Sequence, residues 1–218
     1  MIQFLIKVFF YNNMKLTEIK NYEDVKKLYT SKNYQFREGK MALNLGAMRS
    51  KNSQSDTFDD LGWCAWTDEN NMPQIQFFWL TTDPGKHWLL TPMKSEGTII
   101  MVPGQYKEVF GVGKHNNSYE CFRQLGNMAY VRDNNKDTLL DFSLYRDPKK
   151  AKTSIFWGVN NTKLHRASAW KIVELVGPYS AGCQVVKNPQ TFKKLIELRD
   201  KSVLAGYKRW DYTLFEEL

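Results

Sequence analysis

The sequence predicts a mainly β domain of the α+β class, a β-sheet domain with one short N-terminal helix and one C-terminal helix. Three observations lead there. Short runs rich in β-branched and aromatic residues recur between positions 63 and 145, with turn dipeptides between them. No long helical pattern alternates with these runs, which argues against a doubly wound α/β fold. The chain has 218 residues, 42% of them hydrophobic and 14% aromatic, enough to bury a real core.

Taken in order, residues 1–13 are an extension of unsettled status, and residues 14–218 form a single domain. The opening MIQFLIKVFFY is apolar but too short to span a bilayer. No basic stretch precedes it and no small-residue cleavage site follows, so it reads as a strand or an upstream extension. Met1 and Met14 both remain as starts. Residues 21–30 form a helix: Asn21 caps it, Glu23 and Asp24 suit its first turn, and Val25, Leu28 and Tyr29 make the apolar face. Residues 50–60 are polar and read as a loop. Strands are expected at 63–67, 74–81, 98–102, 107–113, 128–132 and 139–145. Asn70-Asn71, Pro84-Gly85, Pro103-Gly104, Asn116-Asn117 and Asn134-Asn135 punctuate them, which suggests mainly antiparallel pairing. A further strand is expected at 155–159, and extended structure resumes at Lys163. The second helix has Asn188 as cap, Pro189 in its first position, and Phe192, Leu195, Ile196, Arg199 and Val203 at helical spacing before Gly206. It is expected to pack on the sheet and support the turn at Cys183. Residues 207–218 read as an added strand or a cover over the core.

The net charge of +8 favours anionic partners, but the basic residues are scattered in pairs such as Lys149-Lys150 and Lys193-Lys194. A groove reader would gather them on one face, so nucleic acid is not the expected partner. No segment approaches transmembrane length. Three cysteines, Cys64, Cys121 and Cys183, give neither a disulfide framework nor a zinc pattern. Reduced thiols and cytoplasmic synthesis of a soluble protein fit best. P-loop, GxGxxG and HExxH patterns are absent, so no cofactor and no metal are expected.

One stretch carries chemistry. His165-Arg166-Ala167-Ser168 is followed by Tyr179-Ser180-Ala181-Gly182-Cys183-Gln184. A nucleophilic thiol needs a nearby base, a turn that exposes the sulfur, and backbone N–H groups for the oxyanion. Gly182 permits a tight turn, Gly177-Pro178 marks a loop, and Val185-Val186 suits an emerging strand. Cys64 and Cys121 lack this context and read as structural. His165 is the candidate base; His87 and His115 lie in turn-like contexts, and His115 remains a candidate for lining a groove.

These residues carry a resemblance. His165, seventeen intervening residues, then Cys183 within Ser180-x-Gly182-Cys183 resembles the motif of the L,D-transpeptidase catalytic domain, with Ala181 where that motif has a second histidine. A broader similarity runs from about residue 40 to about residue 200. Its pieces include residues 44–50, Phe58-Asp59-Asp60, Thr82-Asp83-Pro84-Gly85, residues 102–106, residues 130–135 and the two motifs above. They look like a group of phage and prophage proteins regarded as cell-wall hydrolases. The resemblance implies an L,D-transpeptidase-like β-sheet domain acting on peptidoglycan stem peptides through a cysteine acyl-enzyme. It implies Cys183 as nucleophile and His165 as base, oriented by the Arg166 carbonyl. The Gly182 and Cys183 N–H groups would hold the tetrahedral oxygen, and Arg166, Ser180, Tyr106 and Arg132 would contact substrate. Arg166 in particular is a candidate for a stem-peptide carboxylate, by its planar fork. Synthesis in a host cytoplasm and action at the wall, after release through a lysis pore or as a virion component, would follow. Cross-linking, a non-catalytic wall-binding or virion module, and a host-directed effector or nucleic-acid-associated protein are the rival readings.

Overall fold

The computed structural model of the protein describes residues 14–217; the expectations for residues 1–13 lie outside the described residues. Eleven strands run β1 (Asn44–Arg49), β2 (Asp60–Thr67), β3 (Pro73–Thr81), β4 (Thr98–Met101), β5 (Gly104–His115), β6 (Tyr119–Gln124), β7 (Met128–Asp133), β8 (Phe156–Gly158), β9 (Lys163–Arg166), β10 (Gln184–Val186) and β11 (Arg209–Glu216). Helices are α1 (Tyr22–Ser31), α2 (Lys86–Leu90), α3 (Ser143–Arg146), α4 (Pro148–Ser154) and α5 (Pro189–Leu204). The protein is thus mainly β with flanking helices.

Eight strands close a barrel in the order β1-β11-β5-β6-β9-β10-β3-β2, and β4-β7-β8 form a separate sheet. Pairing is antiparallel except at β1–β11 and β9–β10. Inside the barrel lie Leu45, Ala47, Leu80, Phe110, Phe122, Leu164, Val186, Tyr212 and Leu214. Full burial of each large apolar side chain contributes about 1.5–3 kcal/mol. Gly62 admits Phe78 to this core, because a Cβ there would meet the ring at 2.3 Å.

Asn21 caps α1 by accepting the Asp24 N–H (3.0 Å), and Val25, Leu28 and Tyr29 are buried as its spacing predicts. Asn188 caps α5 by accepting from Gln190 and Thr191. Phe192 and Leu195 on α5 enter the barrel core, and the helix packs against β9 and β10. The expected strand at 139–145 is instead a loop leading into α3. Asp133 accepts the Asp141 N–H and Asp141 the Ser143 N–H, so side chains claim the backbone donors a strand would need. Strands β1 and β6 were not predicted, and residues 209–216 resolve the C-terminal alternatives as a strand.

One end of the barrel is held by a buried charge cluster. Arg49 is fully buried and pairs with Asp83 at 2.9 Å. Its guanidinium also donates to Thr82 Oγ1, Tyr145 Oη and the Met101 carbonyl. Asp60 accepts from Ser50 N, Thr82 N and Thr82 Oγ1. Near the same end, the Leu16 N–H donates to Glu217 Oε1 (3.2 Å).

Candidate active site

Strands β9 and β10 set the site. Their parallel register aligns Leu164 with Gln184 and His165 with Val185, so Cys183 stands opposite Lys163. Leu164 and Val186 point into the barrel, whereas Val185 and Cys183 belong to an apolar cluster outside it with Phe58, Ala167 and Val176. By the strand's period of two, Lys163 and His165 project to that same outer face. There an open cleft of about 1000 Å³ is lined by His165, Cys183, Lys163, Gly182, Ala181 and Tyr179, and by Arg132 and Ile99 of the second sheet, among others. Cys183 and His165 therefore share one wall, on diagonal positions of neighbouring strands.

The cysteine turn is anchored on several sides. Gly85 N–H donates to the Ser180 carbonyl (2.9 Å), and Trp88 Nε1 donates to the Pro178 carbonyl (3.0 Å). Asp56 accepts the Gly177 N–H. Gly182 has φ +109°, a conformation side-chain-bearing residues rarely adopt, and a Cβ there would sit 2.6 Å from the Ile99 carbonyl oxygen. Ser180 is fully buried; its Oγ donates to the Cys183 carbonyl (2.8 Å) and accepts the Gly182 N–H (3.2 Å). Two expectations change here. Ser180 shapes the turn and is not among the residues that line the cleft, and the Gly182 N–H is already engaged by Ser180 Oγ.

His165 is 1% exposed. Its Nδ1 lies 2.8 Å from the Arg166 carbonyl oxygen, which can only accept, so Nδ1 carries the proton. The Tyr119 hydroxyl stands 3.0 Å from the same Nδ1 and donates to the Arg166 carbonyl at 3.2 Å. Nε2 keeps its lone pair and is buried with no hydrogen-bond partner among the described residues. No hydrogen bond therefore joins it to Cys183 Sγ in this state. His115 stacks on His165 with ring centres 4.2 Å apart, and Tyr119 stacks on His115.

Burial, then the charge of His115, holds His165 down to about 3. Burial pushes the Cys183 thiol above its ordinary value, while the Lys163 backbone N–H and ammonium pull the other way. At neutral pH the site rests as neutral imidazole and neutral thiol, not as an ion pair. Burial likewise pushes Cys121 up to about 11, and it raises Cys64 further still. Both are buried, whereas Cys183 is half-buried and reaches the cleft.

The remaining candidates divide. Arg132 lines the cleft and donates to the Gly97 carbonyl. Arg166 is not among the lining residues; its guanidinium lies 3.8 Å over the Tyr119 ring, drawn there by cation–π attraction. Tyr106 is 3% exposed in the barrel core, with its hydroxyl on the Val102 carbonyl, because its position on β5 faces inward. It does not line the cleft. Sequence reasoning missed Tyr119, Lys163 and Arg123. The sign that pointed to the first was the Asn116-Asn117 turn, which folds β6 back on β5 and sets Tyr119 across from His115.

Among the described residues no cluster of three or more metal-ligating side chains exists, and no helix is long and apolar enough to cross a membrane. No family model, no curated protein and no solved structure matches the chain.

Proposed function

We propose that the protein is a cysteine-dependent acyl-transfer enzyme that hydrolyses a peptide bond of the peptidoglycan stem peptide. The observation that carries this reading is the shared cleft wall: Cys183 stands beside a histidine whose Nδ1–H is tied down and whose Nε2 lone pair is unclaimed. A buried acceptor with no partner is costly in a purely structural role, and a base must have one. The choice of peptidoglycan rests on the resemblance of the His165 and Ser180-Ala181-Gly182-Cys183 motifs to the L,D-transpeptidase domain, and so does the finer fold assignment.

In the proposed reaction the Cys183 thiol gives its proton to His165 Nε2 as sulfur bonds to the carbonyl carbon. The backbone N–H of Cys183 is the donor retained for the tetrahedral oxygen. The C–N bond breaks, and the imidazolium returns the proton to the leaving amine. Water then adds to the thioester, giving a carboxylic acid and restoring the thiol. An amine in place of water gives cross-linking. A thiol that starts neutral is only activated when substrate brings the three groups together, as apo geometries often allow.

Purified muropeptides incubated with the protein and weighed by mass spectrometry test this. Stem peptides shortened by the wild type and left intact by Cys183→Ala, with a thermal melt nearly unchanged, are expected. Cleavage that persists in Cys183→Ala overturns the thiol mechanism.

A further inference from the structure

The cleft has a charge pattern that the acyl-transfer chemistry does not require. Lys94, Arg123, Arg132 and Lys163 line it, and no aspartate or glutamate does. Two of these cations are set directly opposite each other: Arg123 on β6 pairs with Lys163 on β9 in the antiparallel register. Like charges in that position repel and destabilise a sheet. Neither forms an ion pair among the described residues. Lys163 is 7% exposed, and among the described residues its ammonium donates only to the Asn161 carbonyl (3.0 Å). Buried ammonium groups ordinarily have a carboxylate partner. Arg123 is held as well, its stem lying across Gly113, where a Cβ would meet it at 2.5 Å. Lys163 stands between Arg123 on one side and Cys183 on the other.

We infer that Lys163 and Arg123 form an anion subsite beside Cys183, which takes a carboxylate of the substrate next to the bond being cut. The inference builds on the cleft being the substrate cleft, as proposed above, and adds the substrate's charge. It also moves the carboxylate contact from Arg166, which is stacked on Tyr119, to a pair of residues on the cleft wall. A carboxylate seated there supplies the counter-charge that the two cations lack, and it brings the neighbouring carbonyl up to the sulfur. Neutral, amidated peptides lose that contact and the orientation it gives.

Alkylation tests this without any peptidoglycan. Iodoacetate and iodoacetamide deliver the same carbon to sulfur, displacing iodide, and differ by one negative charge. Rates at Cys183 are followed by mass mapping, and the iodoacetate-to-iodoacetamide ratio is divided by the ratio for glutathione. A normalised ratio of about ten or more is expected, shrinking at high salt. Lys163→Gln is expected to bring it near one. Because Lys163 is buried, Arg123→Gln at an exposed position is the second variant, with a fall of at least about threefold expected. A wild-type ratio near one overturns the subsite. Should neither reagent label Cys183, the thiol reading fails by itself. The subsite is then decided by NMR titration of Cys183→Ala with N-acetylalanine and with its amide. Shifts at Lys163 and Arg123 with the acid alone support it; equal responses, or none, overturn it.

Discussion

The Tyr119 hydroxyl lies within reach of two atoms, His165 Nδ1 and the Arg166 carbonyl oxygen, and Arg166 in turn covers its ring. It fixes the imidazole plane, so in the proposed reaction it is a positioning residue. Tyr119→Phe removes about 1 kcal/mol of hydrogen bonding. The expected result is a kcat about fivefold to tenfold lower with KM unchanged, read in the muropeptide assay. A change in KM alone would place Tyr119 in substrate binding instead. At this scale the candidate pair of Cys183 and His165 is legible along the chain, because Gly182 before Cys183 and the spacing back to His165 are local patterns. Tyr119, Lys163 and Arg123 were hidden because their roles arise from strand register, which spacing along the chain does not encode. The inward face of Tyr106 was hidden for the same reason, and the place of Ser180 because the turn's own hydrogen bonds bury it. A polar residue near a motif has even chances of facing the core or the cleft until its strand's phase is known.

At the scale of elements, the cysteine turn depends on Gly182. Gly182→Ala forces a side chain into a positive-φ position and against the Ile99 carbonyl of β4. Backbone strain of this kind costs on the order of 1–3 kcal/mol. Alkylation of Cys183 is expected to change rate markedly in Gly182→Ala, while the melt falls by several degrees. An unaltered labelling rate would show that the turn tolerates the change and does not set the sulfur's place. Elements with strong local signals were legible: α1 and α5 carry caps and an apolar face, and β2, β3, β5 and β7 are runs of β-branched and aromatic residues between turn dipeptides. In residues 139–145 the aromatic and aliphatic content favours a strand, but Asp133 and Asp141 bind the local N–H groups and a loop forms instead. In β1, Leu45, Ala47 and Met48 are buried along with Asn44 and Arg49, so the strand has no clean alternation to reveal it.

For the whole molecule, closure of the barrel was not legible. Strands β1 and β11 pair in parallel although about 160 positions separate them, and nothing in either segment names its partner. The charge cluster at that end governs how stability follows pH. Burial first, then the charge of Asp83, pushes Asp60 up to about 7 from an ordinary 3.8. A carboxyl raised on folding contributes stability that is full below pH 3.8 and lost as pH rises through about 7. Asp60→Asn is expected to flatten this part of the slope in melts taken between pH 4 and 8; an unchanged slope would assign it to other groups. The Leu16–Glu217 hydrogen bond has a consequence for the order of the chain itself. Since these two positions already touch, a short linker can splice them. New ends can then be opened at the exposed Asn70-Asn71 turn, outside the cleft lining, with every strand pairing kept. Such a permuted chain is expected to keep the barrel and its cooperative melt, and a molten or unfolded product would tie the sheet order to the sequence in which the strands are read.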